Sequence, residues 1–329
     1  MATYPLTLAC RNYDRTSALL RGGVAVPGVE LQPREMANPA EIFTAFFNGE
    51  FDAAEMSMAE VVYYTSRGEN DFLAIPVFPY RMFRHGYMFC DAAAGFAGPE
   101  DLSGKRVAFP RVVFTAGVWM RGLLVDEYGL SPADTSWFYG SMHHWAPKPG
   151  EEITPRDGAV LRWVPERGAE AADSAKIALL EGDVDALCTT RKPPETGGRL
   201  RRLIEDFPAA EAAYFKRTGI YPIMHVVAVR RSVIEAHPEL PEALFGAFVE
   251  AKAHAMKRIE ADASISLVWK DRYLEHQHEV FGDDPWAYGL EKNRHVISKF
   301  LSYAYDQGVS AREMSPDELF APSTLALAE

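Results

Sequence analysis

Short apolar runs alternate with stretches of helical period along the first 130 residues. The runs Leu6–Cys10, Phe51–Met56 and Phe72–Val77 are predicted to form strands. Asn38-Pro39 marks a helix start between them, because Asn favours the N-cap and Pro favours the first helical position. Strands that alternate with helices indicate an α/β fold with largely parallel sheets and crossover connections.

A second set of elements begins near residue 86, and the chain returns to the first set late. Thr115–Tyr128 is predicted to be a helix and Met224–Val229 a strand. We therefore expect a two-lobed clamshell with mixed, mostly parallel sheets flanked by helices and a ligand cleft between the lobes. The predicted first lobe is discontinuous and comprises 1–85 plus 226–329, and the second lobe comprises 86–225.

The composition is that of a folded protein, and the charge argues against several partners. Of the 329 residues, 48% are hydrophobic and 24% are charged, which excludes disordered and low-complexity classes. The 46 acidic residues outnumber the 34 basic residues, and the net charge of −12 argues against nucleic acid and anionic membranes as partners. An anionic small molecule stays compatible, because a basic site can exist locally.

Cysteine usage and the N-terminal segment indicate the compartment. Cys10, Cys90 and Cys188 are far apart and odd in number, so we expect no disulfide framework. The N-terminal segment has neither the basic region nor the apolar stretch of a signal peptide. We therefore expect a cytoplasmic protein, and its oligomeric state stays open, with a homo-oligomer among the alternatives.

Ligands of open α/β sheets bind beyond the carboxyl ends of the strands. That rule selects four segments, which are Arg11–Asp14, Glu55–Ser57, Pro110–Thr115 and Thr189–Arg191. Arg11 and Ser57 are candidates for substrate binding on this ground. Glu55 is a candidate for taking a proton or orienting an imidazole, because burial beside apolar residues would raise its pKa. The alternative for Glu55 is a carboxylate on the lobe surface.

The densest group of chemical side chains lies in Pro76–His85, where two prolines stiffen the chain. Arginine matches carboxylates in bidentate geometry, so Arg81 and Arg84 are predicted to bind an acidic substrate. The alternative is an exposed strand between the lobes whose arginines pair with acidic side chains. His85 and His225 are candidate proton donor and acceptor in either order, because imidazole titrates near neutrality. The alternative for His225 is an ordinary core histidine.

The helix predicted from Thr115 offers a second anion site. Free backbone amides at its N-terminus, with the Thr115 hydroxyl, would bind an anionic group. Thr115 is also compatible with a plain N-cap role. Trp119 and Arg121 lie one turn further along and either reach the ligand or only pack.

Histidine pairs raise the question of a metal site. His143 and His144 are neighbours, and neighbouring residues on a strand point to opposite faces. His276 and His278 have strand spacing but lie in a segment of helical period. The sequence contains no HExxH pattern. We expect neither a metal nor an organic cofactor, although the sequence leaves a divalent ion open.

Eight segments spread over nearly the whole chain form a recognisable series. They are Leu8–Cys10 with Tyr13–Thr16, Phe51-Asp52 with Glu55–Ser57, Ile75–His85, Thr115–Gly122, Thr218–His225, Asp284–Glu291 with Asn293, Asp306–Gly308 and Glu318–Phe320. In this order they resemble the 4,5-dihydroxyphthalate decarboxylase family, whose fold is similar to that of type II periplasmic binding proteins. Tyr80 and Tyr221 depart from the pattern, where Ser and Phe are usual, and so does the stretch from Gly140 to Gly158.

The resemblance implies a lyase of aromatic catabolism that acts without a cofactor on a small aromatic carboxylate. It would convert 4,5-dihydroxyphthalate to protocatechuate and carbon dioxide by protonation of the ring and loss of one carboxylate, and the departures from the pattern leave a different aromatic or related acid open as the substrate. Arg81 and Arg84 are expected to hold the retained carboxylate. His85 and His225 are expected to move protons, with Glu55 as partner. The competing hypothesis is a clamshell that binds an anionic solute without catalysis.

Overall fold

Two sheets organise the part of the chain that the computed structural model describes. The described residues are 3–141, 153–164, 173–193, 197–261 and 265–329. The chain forms two units, of which unit 1 comprises Met1–Arg81, Thr218–Ser298 and Ser315–Glu329, and unit 2 comprises Met82–Arg217 and Lys299–Met314.

Unit 1 contains a five-stranded mixed sheet. Its strands are β1 (Tyr4–Cys10), β2 (Val29–Glu35), β3 (Ala53–Ser57), β4 (Phe72–Arg81) and β11 (Ile223–Arg230), in the order β2-β1-β3-β11-β4. Strand β1 is parallel to β2 and β3, whereas β11 runs antiparallel to β3 and β4. The helices of this unit are α1 (Asp14–Leu20), α2 (Pro39–Phe47), α3 (Met58–Arg67), α7 (Arg231–Ala236), α8 (Leu240–Ala261) and α9 (Lys270–Phe281).

Unit 2 contains a six-stranded mixed sheet. Its strands are β5 (Met88–Asp91), β6 (Arg106–Phe109), β7 (Ser136–Tyr139), β8 (Val160–Trp163), β9 (Ala186–Cys188) and β10 (Leu200–Arg202), in the order β10-β5-β9-β6-β7-β8. Its helices are α4 (Thr115–Tyr128), α5 (Ser174–Glu181) and α6 (Phe207–Thr218), and α10 (Leu290–Asp306) contributes residues to both units. Among the described residues, no helix has the length and apolar character needed to cross a membrane.

Local signals in the sequence account for several element boundaries. Asn38 Oδ1 accepts a hydrogen bond from the amide of Ala40 at 3.2 Å, and Pro39 opens α2, as predicted. Helix α4 ends before Gly129, whose φ of +68° is a left-handed conformation that glycine adopts without steric cost. The sequence pattern did not predict α6.

The unit boundaries differ from the predicted lobe boundaries in three places. Residues 82–85 and 299–314 belong to unit 2, and residues 218–225 belong to unit 1. The sheet explains the difference at the return of the chain. Strand β11 begins at Ile223 and is hydrogen-bonded to β3 and β4, so its first residues belong to the unit 1 sheet.

Strand β4 is irregular around its two prolines. Ile75 pairs with Val227 and Tyr80 pairs with His225, so β4 has three more residues than β11 between these two pairs. Proline lacks the amide that a regular ladder needs, and strands commonly bulge where it occurs. The bulge changes the direction of the last residues of β4 and sets the position of Tyr80 beside β11.

Candidate functional site

Strand ends collect predicted site residues at one edge of the unit 1 sheet. Strands β1, β3 and β4 end at this edge, and β11 begins there because it runs antiparallel to β3 and β4. His225 on β11 stands opposite Ser57 on β3 and Tyr80 on β4. Glu55 and Arg11 lie at the same edge, which is the part of the sheet that the strand-end rule selected.

The carboxyl group of Glu55 is fully buried and accepts hydrogen bonds on both oxygens. Oε1 accepts from the Tyr13 hydroxyl at 2.6 Å and lies 2.5 Å from Nδ1 of His225. Oε2 accepts from the backbone amide of Arg11 at 2.9 Å and from the thiol of Cys10 at 3.5 Å. Four groups from two separate segments, residues 10–13 and β11, therefore fix the orientation of this carboxylate.

These donors also decide the charge of Glu55. Burial is the largest influence and by itself raises the pKa of the carboxyl group. The hydrogen bond and charge of His225, the Tyr13 hydroxyl and the Arg11 amide together outweigh burial, and the pKa of Glu55 lies below its ordinary value. The expectation of a raised pKa is therefore wrong. Glu55 is an anion at neutral pH, which suits a group that orients an imidazole.

His225 is fixed by Glu55 and by two aromatic rings. Its ring centroid lies 5.2 Å from that of Phe43, in an edge-on arrangement, and 5.0 Å from that of Tyr80. The side chain is 11% exposed, and Nε2 has no hydrogen-bond partner within the part of the chain that the structure describes. A carboxylate on Nδ1 fixes the tautomer and ring orientation, so Nε2 is left available for proton transfer.

Arg11 follows β1 directly and brings a cation to this group. Its guanidinium carbon lies 5.1 Å from the ring centroid of Tyr13. The residue is half-buried, and none of the described residues forms a hydrogen bond or ion pair with its guanidinium. The side chain is therefore available to bind an anionic group.

Tyr13 and Tyr80 complete the group, and neither is among the predicted site residues. Their rings stack with centroids 5.8 Å apart and planes inclined by 14°. Both lie in segments that the sequence singled out, but a tyrosine in such a segment more often only packs. The hydroxyl of Tyr13 reaches Glu55 because β1 and β3 are neighbours in the sheet. The pairing of β1 with β3 is the information that local sequence patterns did not provide.

Arg81 is buried, and its guanidinium is bound within unit 1. Nη1 donates to the carbonyl of Tyr221 at 3.3 Å, and Nη2 donates to the carbonyl of Ala287 at 2.6 Å. Nη2 also lies 2.5 Å from Oδ1 of Asn293. Burial lowers the pKa of Arg81 to about 10, so the group is still charged at neutral pH. These contacts indicate a structural role, and the substrate-binding role of Arg81 stays an unsupported prediction.

Arg84 and His85 belong to unit 2, and His85 is uncharged at neutral pH. Burial, followed by the charge of Arg217, lowers the pKa of His85 to about 4. Nδ1 of His85 lies 3.9 Å from Oε1 of Glu211, and burial raises the pKa of Glu211 to about 7. Arg84 is buried, with its guanidinium carbon 5.3 Å from the ring centroid of Tyr87. At neutral pH the imidazole of His85 is therefore uncharged, and it cannot act as an imidazolium acid.

The predicted residues at the start of α4 are buried in unit 2. Thr115 is the first helical residue, and Phe114 occupies the N-cap position, so the N-cap interpretation of Thr115 is wrong by one residue. Trp119 packs against Phe300 and Tyr303, with ring centroids 5.4 Å and 5.8 Å away. The packing alternative for Trp119 is therefore the one that these contacts support.

Arg121 and Ser57 also have local surroundings that limit their roles. Nη2 of Arg121 donates to Oδ2 of Asp157 at 2.9 Å, and Nη1 donates to the hydroxyl of Tyr139 at 3.4 Å. This buried ion pair favours packing over ligand binding for Arg121. Ser57 ends β3 directly before α3, and its side chain makes no capping hydrogen bond to that helix.

The histidine pairs provide no metal site in the described part of the chain. There, no three His, Cys, Asp or Glu side chains are grouped so that they could hold a metal ion. His276 and His278 lie on α9, where Nδ1 of His276 is 3.5 Å from Glu279 and Nδ1 of His278 is 3.3 Å from Asp283. His143 and His144 lie outside the described residues.

The chain resembles curated proteins in sequence and solved structures in fold. No protein-family model matches it. It is 34% identical over 333 residues to a Comamonas testosteroni protein named 4,5-dihydroxyphthalate decarboxylase, and the alignment covers 99% of this chain and 98% of the relative. A Pseudomonas putida protein of the same name is 32% identical over 194 residues, which cover 57% of this chain and 71% of the relative.

The similar solved structures identify the fold. The periplasmic aliphatic sulphonate binding protein SsuA of Escherichia coli superposes with a TM-score of 0.55 at 14% identity, covering 99% of this chain and all of that chain (100%). A Candida albicans protein with the generic periplasmic binding protein fold superposes with a TM-score of 0.52 at 10% identity, covering 100% of this chain and 99% of that one. The predicted α/β fold class is confirmed, and at these identities the likeness concerns the fold alone.

Proposed function

The chain belongs to the 4,5-dihydroxyphthalate decarboxylase family, and from this membership and the Glu55–His225 pair we propose that it decarboxylates 4,5-dihydroxyphthalate to protocatechuate. The observation that carries the proposal is a buried, anionic Glu55 that fixes an imidazole whose Nε2 has no partner among the described residues. This arrangement is typical of a histidine that accepts and returns a proton.

His225 is the base of the proposed reaction. Its Nε2 takes the proton of the ring hydroxyl para to the departing carboxylate, and the negative charge of Glu55 stabilises the imidazolium that forms. The phenolate raises the electron density at the ring carbon that bears the carboxylate. Without that density the loss of carbon dioxide would leave an aryl carbanion, which is too high in energy to form at a useful rate.

The ring carbon then accepts a proton from solvent, and its bond to the carboxylate breaks. The electron pair of that bond returns to the ring and restores aromaticity, while carbon dioxide leaves. His225 returns its proton to the phenolate oxygen. One solvent proton is consumed for each carbon dioxide released, and no electron acceptor or organic cofactor takes part.

Arg11 is the arginine that we assign to a substrate carboxylate in unit 1. Its guanidinium has no polar partner among the described residues, whereas that of Arg81 is occupied by backbone carbonyls and by Asn293. Guanidinium groups bind carboxylates in bidentate geometry. In unit 2, Arg84 and Thr115 stay predictions for carboxylate binding. The pKa of His85 is about 4, so we assign it no role as a protonated imidazolium in the proposed reaction.

The test is an assay of the purified protein with a panel of aromatic mono- and dicarboxylates. Carbon dioxide is measured by trapping, and the product is measured by chromatography, with and without a chelator. We expect stoichiometric carbon dioxide and protocatechuate from 4,5-dihydroxyphthalate, unchanged by the chelator. Saturable binding without carbon dioxide release would contradict the proposal and support the competing solute-binding hypothesis. A cytoplasmic location stays a prediction, which cell fractionation tests.

A further inference from the structure

Tyr13 joins the two polar groups of the unit 1 site. Its hydroxyl donates to Oε1 of Glu55 at 2.6 Å, the same oxygen that Nδ1 of His225 approaches to 2.5 Å. Its ring lies under the guanidinium of Arg11 and stacks on Tyr80. One side chain therefore contacts both the carboxylate that orients the base and the arginine assigned to the substrate.

We propose that Tyr13 is a positioning residue for catalysis, whose hydroxyl holds Glu55 in the orientation that fixes His225 and whose ring holds the guanidinium of Arg11. This inference rests on the proposed function, because it assigns Tyr13 a role through residues of that site. Tyr13 itself does not exchange a proton with the substrate.

The acceptor capacity of Oε1 explains why the Tyr13 hydroxyl matters. A carboxylate oxygen has two lone pairs, and Tyr13 and His225 occupy both of them. Glu55 is fully buried, so a lost donor is not replaced freely by bulk water. Without the hydroxyl, one lone pair of this buried oxygen has no donor, and the Oε1 end of the carboxylate is held by His225 alone.

The protonation state of Tyr13 agrees with a donor role. Burial, followed by the charge of Glu55, raises the pKa of Tyr13 well above its ordinary value, so the phenol stays protonated at every working pH. A neutral phenol bound to a carboxylate donates its proton in the hydrogen bond without transferring it. The same hydrogen bond helps to lower the pKa of Glu55.

The two functions of the side chain can be separated by two substitutions. Tyr13→Phe keeps the ring under Arg11 but removes the donor, so we expect kcat to fall about tenfold with KM within about twofold of the parent. Tyr13→Leu also removes the ring, so KM is expected to rise in addition. In Tyr13→Phe the acid limb of the kcat/KM profile should move to higher pH, because a carboxylate with fewer donors holds a proton more strongly.

Tyr303→Phe is the matched control. The Tyr303 hydroxyl donates to Oδ2 of Asp126 at 2.7 Å in unit 2, so this substitution removes a bond of the same kind outside the site. We expect it to leave the pH profile and kcat unchanged. If Tyr13→Phe does not fold, difluorotyrosine at position 13 replaces it, and its stronger O–H donor should move the acid limb to lower pH.

The outcomes distinguish this proposal from the proposed function. If His225→Asn abolishes turnover while Tyr13→Phe behaves like Tyr303→Phe, the role of Tyr13 is wrong and the proposed function stands. If the parent protein releases no carbon dioxide, the nuclear magnetic resonance signal of the Nδ1–H proton of His225, which reports its hydrogen bond to Glu55, still tests Tyr13. A signal that changes in Tyr13→Phe and not in Tyr303→Phe supports the proposal, and an unchanged signal overturns it.

Discussion

Nδ1 of His225 lies 2.5 Å from Oε1 of Glu55, and the two residues come from adjacent antiparallel strands. Val227 stands opposite Glu55, and His225 stands opposite Ser57, so the pair is diagonal across the strands and on one face of the sheet. Rigid strands hold both side chains in place, which a proton-transfer site needs because small errors in position reduce the rate strongly.

Removal of the His225 imidazole should reduce kcat strongly. General base catalysis contributes about 10²–10⁴-fold to rates, so His225→Asn is expected to lower kcat by that factor. Steady-state measurement of carbon dioxide release checks this. The control is His237→Asn, because Nδ1 of His237 also faces a glutamate, with Oε1 of Glu239 3.6 Å away, but outside the site. Equal activity of the two variants would remove His225 from the mechanism.

Arg11 and Arg81, which both belong to unit 1, should differ in what their loss affects. Arg11→Ala is expected to raise KM at least about tenfold and to change the free energy of unfolding by less than about 1 kcal/mol, because its guanidinium has no polar partner among the described residues. Arg81→Met is expected to lower that free energy by about 3 kcal/mol, because buried carbonyls lose a charged donor.

Urea unfolding and steady-state kinetics on both variants check this pair of expectations. A large rise in KM for a stably folded Arg81→Met, together with a normal KM for Arg11→Ala, would reverse the assignment. The original prediction that Arg81 binds substrate would then be supported in place of Arg11.

Glu211 should make the stability of the protein depend on pH near neutrality. Its pKa is raised from 4.5 to about 7, mainly by burial, so the folded state keeps this proton between these two values while the unfolded state loses it. The contribution of Glu211 is therefore fully present below pH 4.5 and is lost as the pH rises through about 7. Glu211→Gln removes this titration. The free energy of unfolding of the variant, relative to that of the parent, should therefore increase by about 2 kcal/mol between pH 5 and pH 8.

Chemical unfolding of the parent and Glu211→Gln at a series of pH values tests this sign. Glu50→Gln is the control, because Glu50 is exposed. A difference between parent and Glu211→Gln that does not change with pH, or that shrinks as the pH rises, would contradict a buried carboxyl that is neutral below pH 7.

The origin of the proton on the ring can be read from the product. If a solvent proton replaces the carboxylate, the reaction in heavy water should yield protocatechuate with one deuterium at the vacated carbon. Mass spectrometry and nuclear magnetic resonance of the product measure this directly. Product without deuterium would mean that a carbon-bound hydrogen of the substrate, which does not exchange with solvent, moved to the vacated carbon, and the proposed protonation by solvent would be wrong.

Periodicity and helix signals determined the elements around the site. Apolar runs predicted β1, β3 and β11, Asn38-Pro39 marked the start of α2, and the strand-end rule selected the segments that contain Arg11 and Glu55. These features are local, because a run of five to ten residues already carries the pattern of its own strand or helix. The family was also identified from ordered local segments, and the relative of 34% identity confirms it.

Only the tertiary structure decided which of these residues are partners. The pairing of β11 with β3 places His225 on Glu55 and makes that carboxylate an anion, against the expected rise in its pKa. The fold also turns Arg81 toward backbone carbonyls and gives Tyr13 its bond to Glu55. Contacts between residues 42 to 170 positions apart depend on strand order and register, which local sequence patterns do not specify.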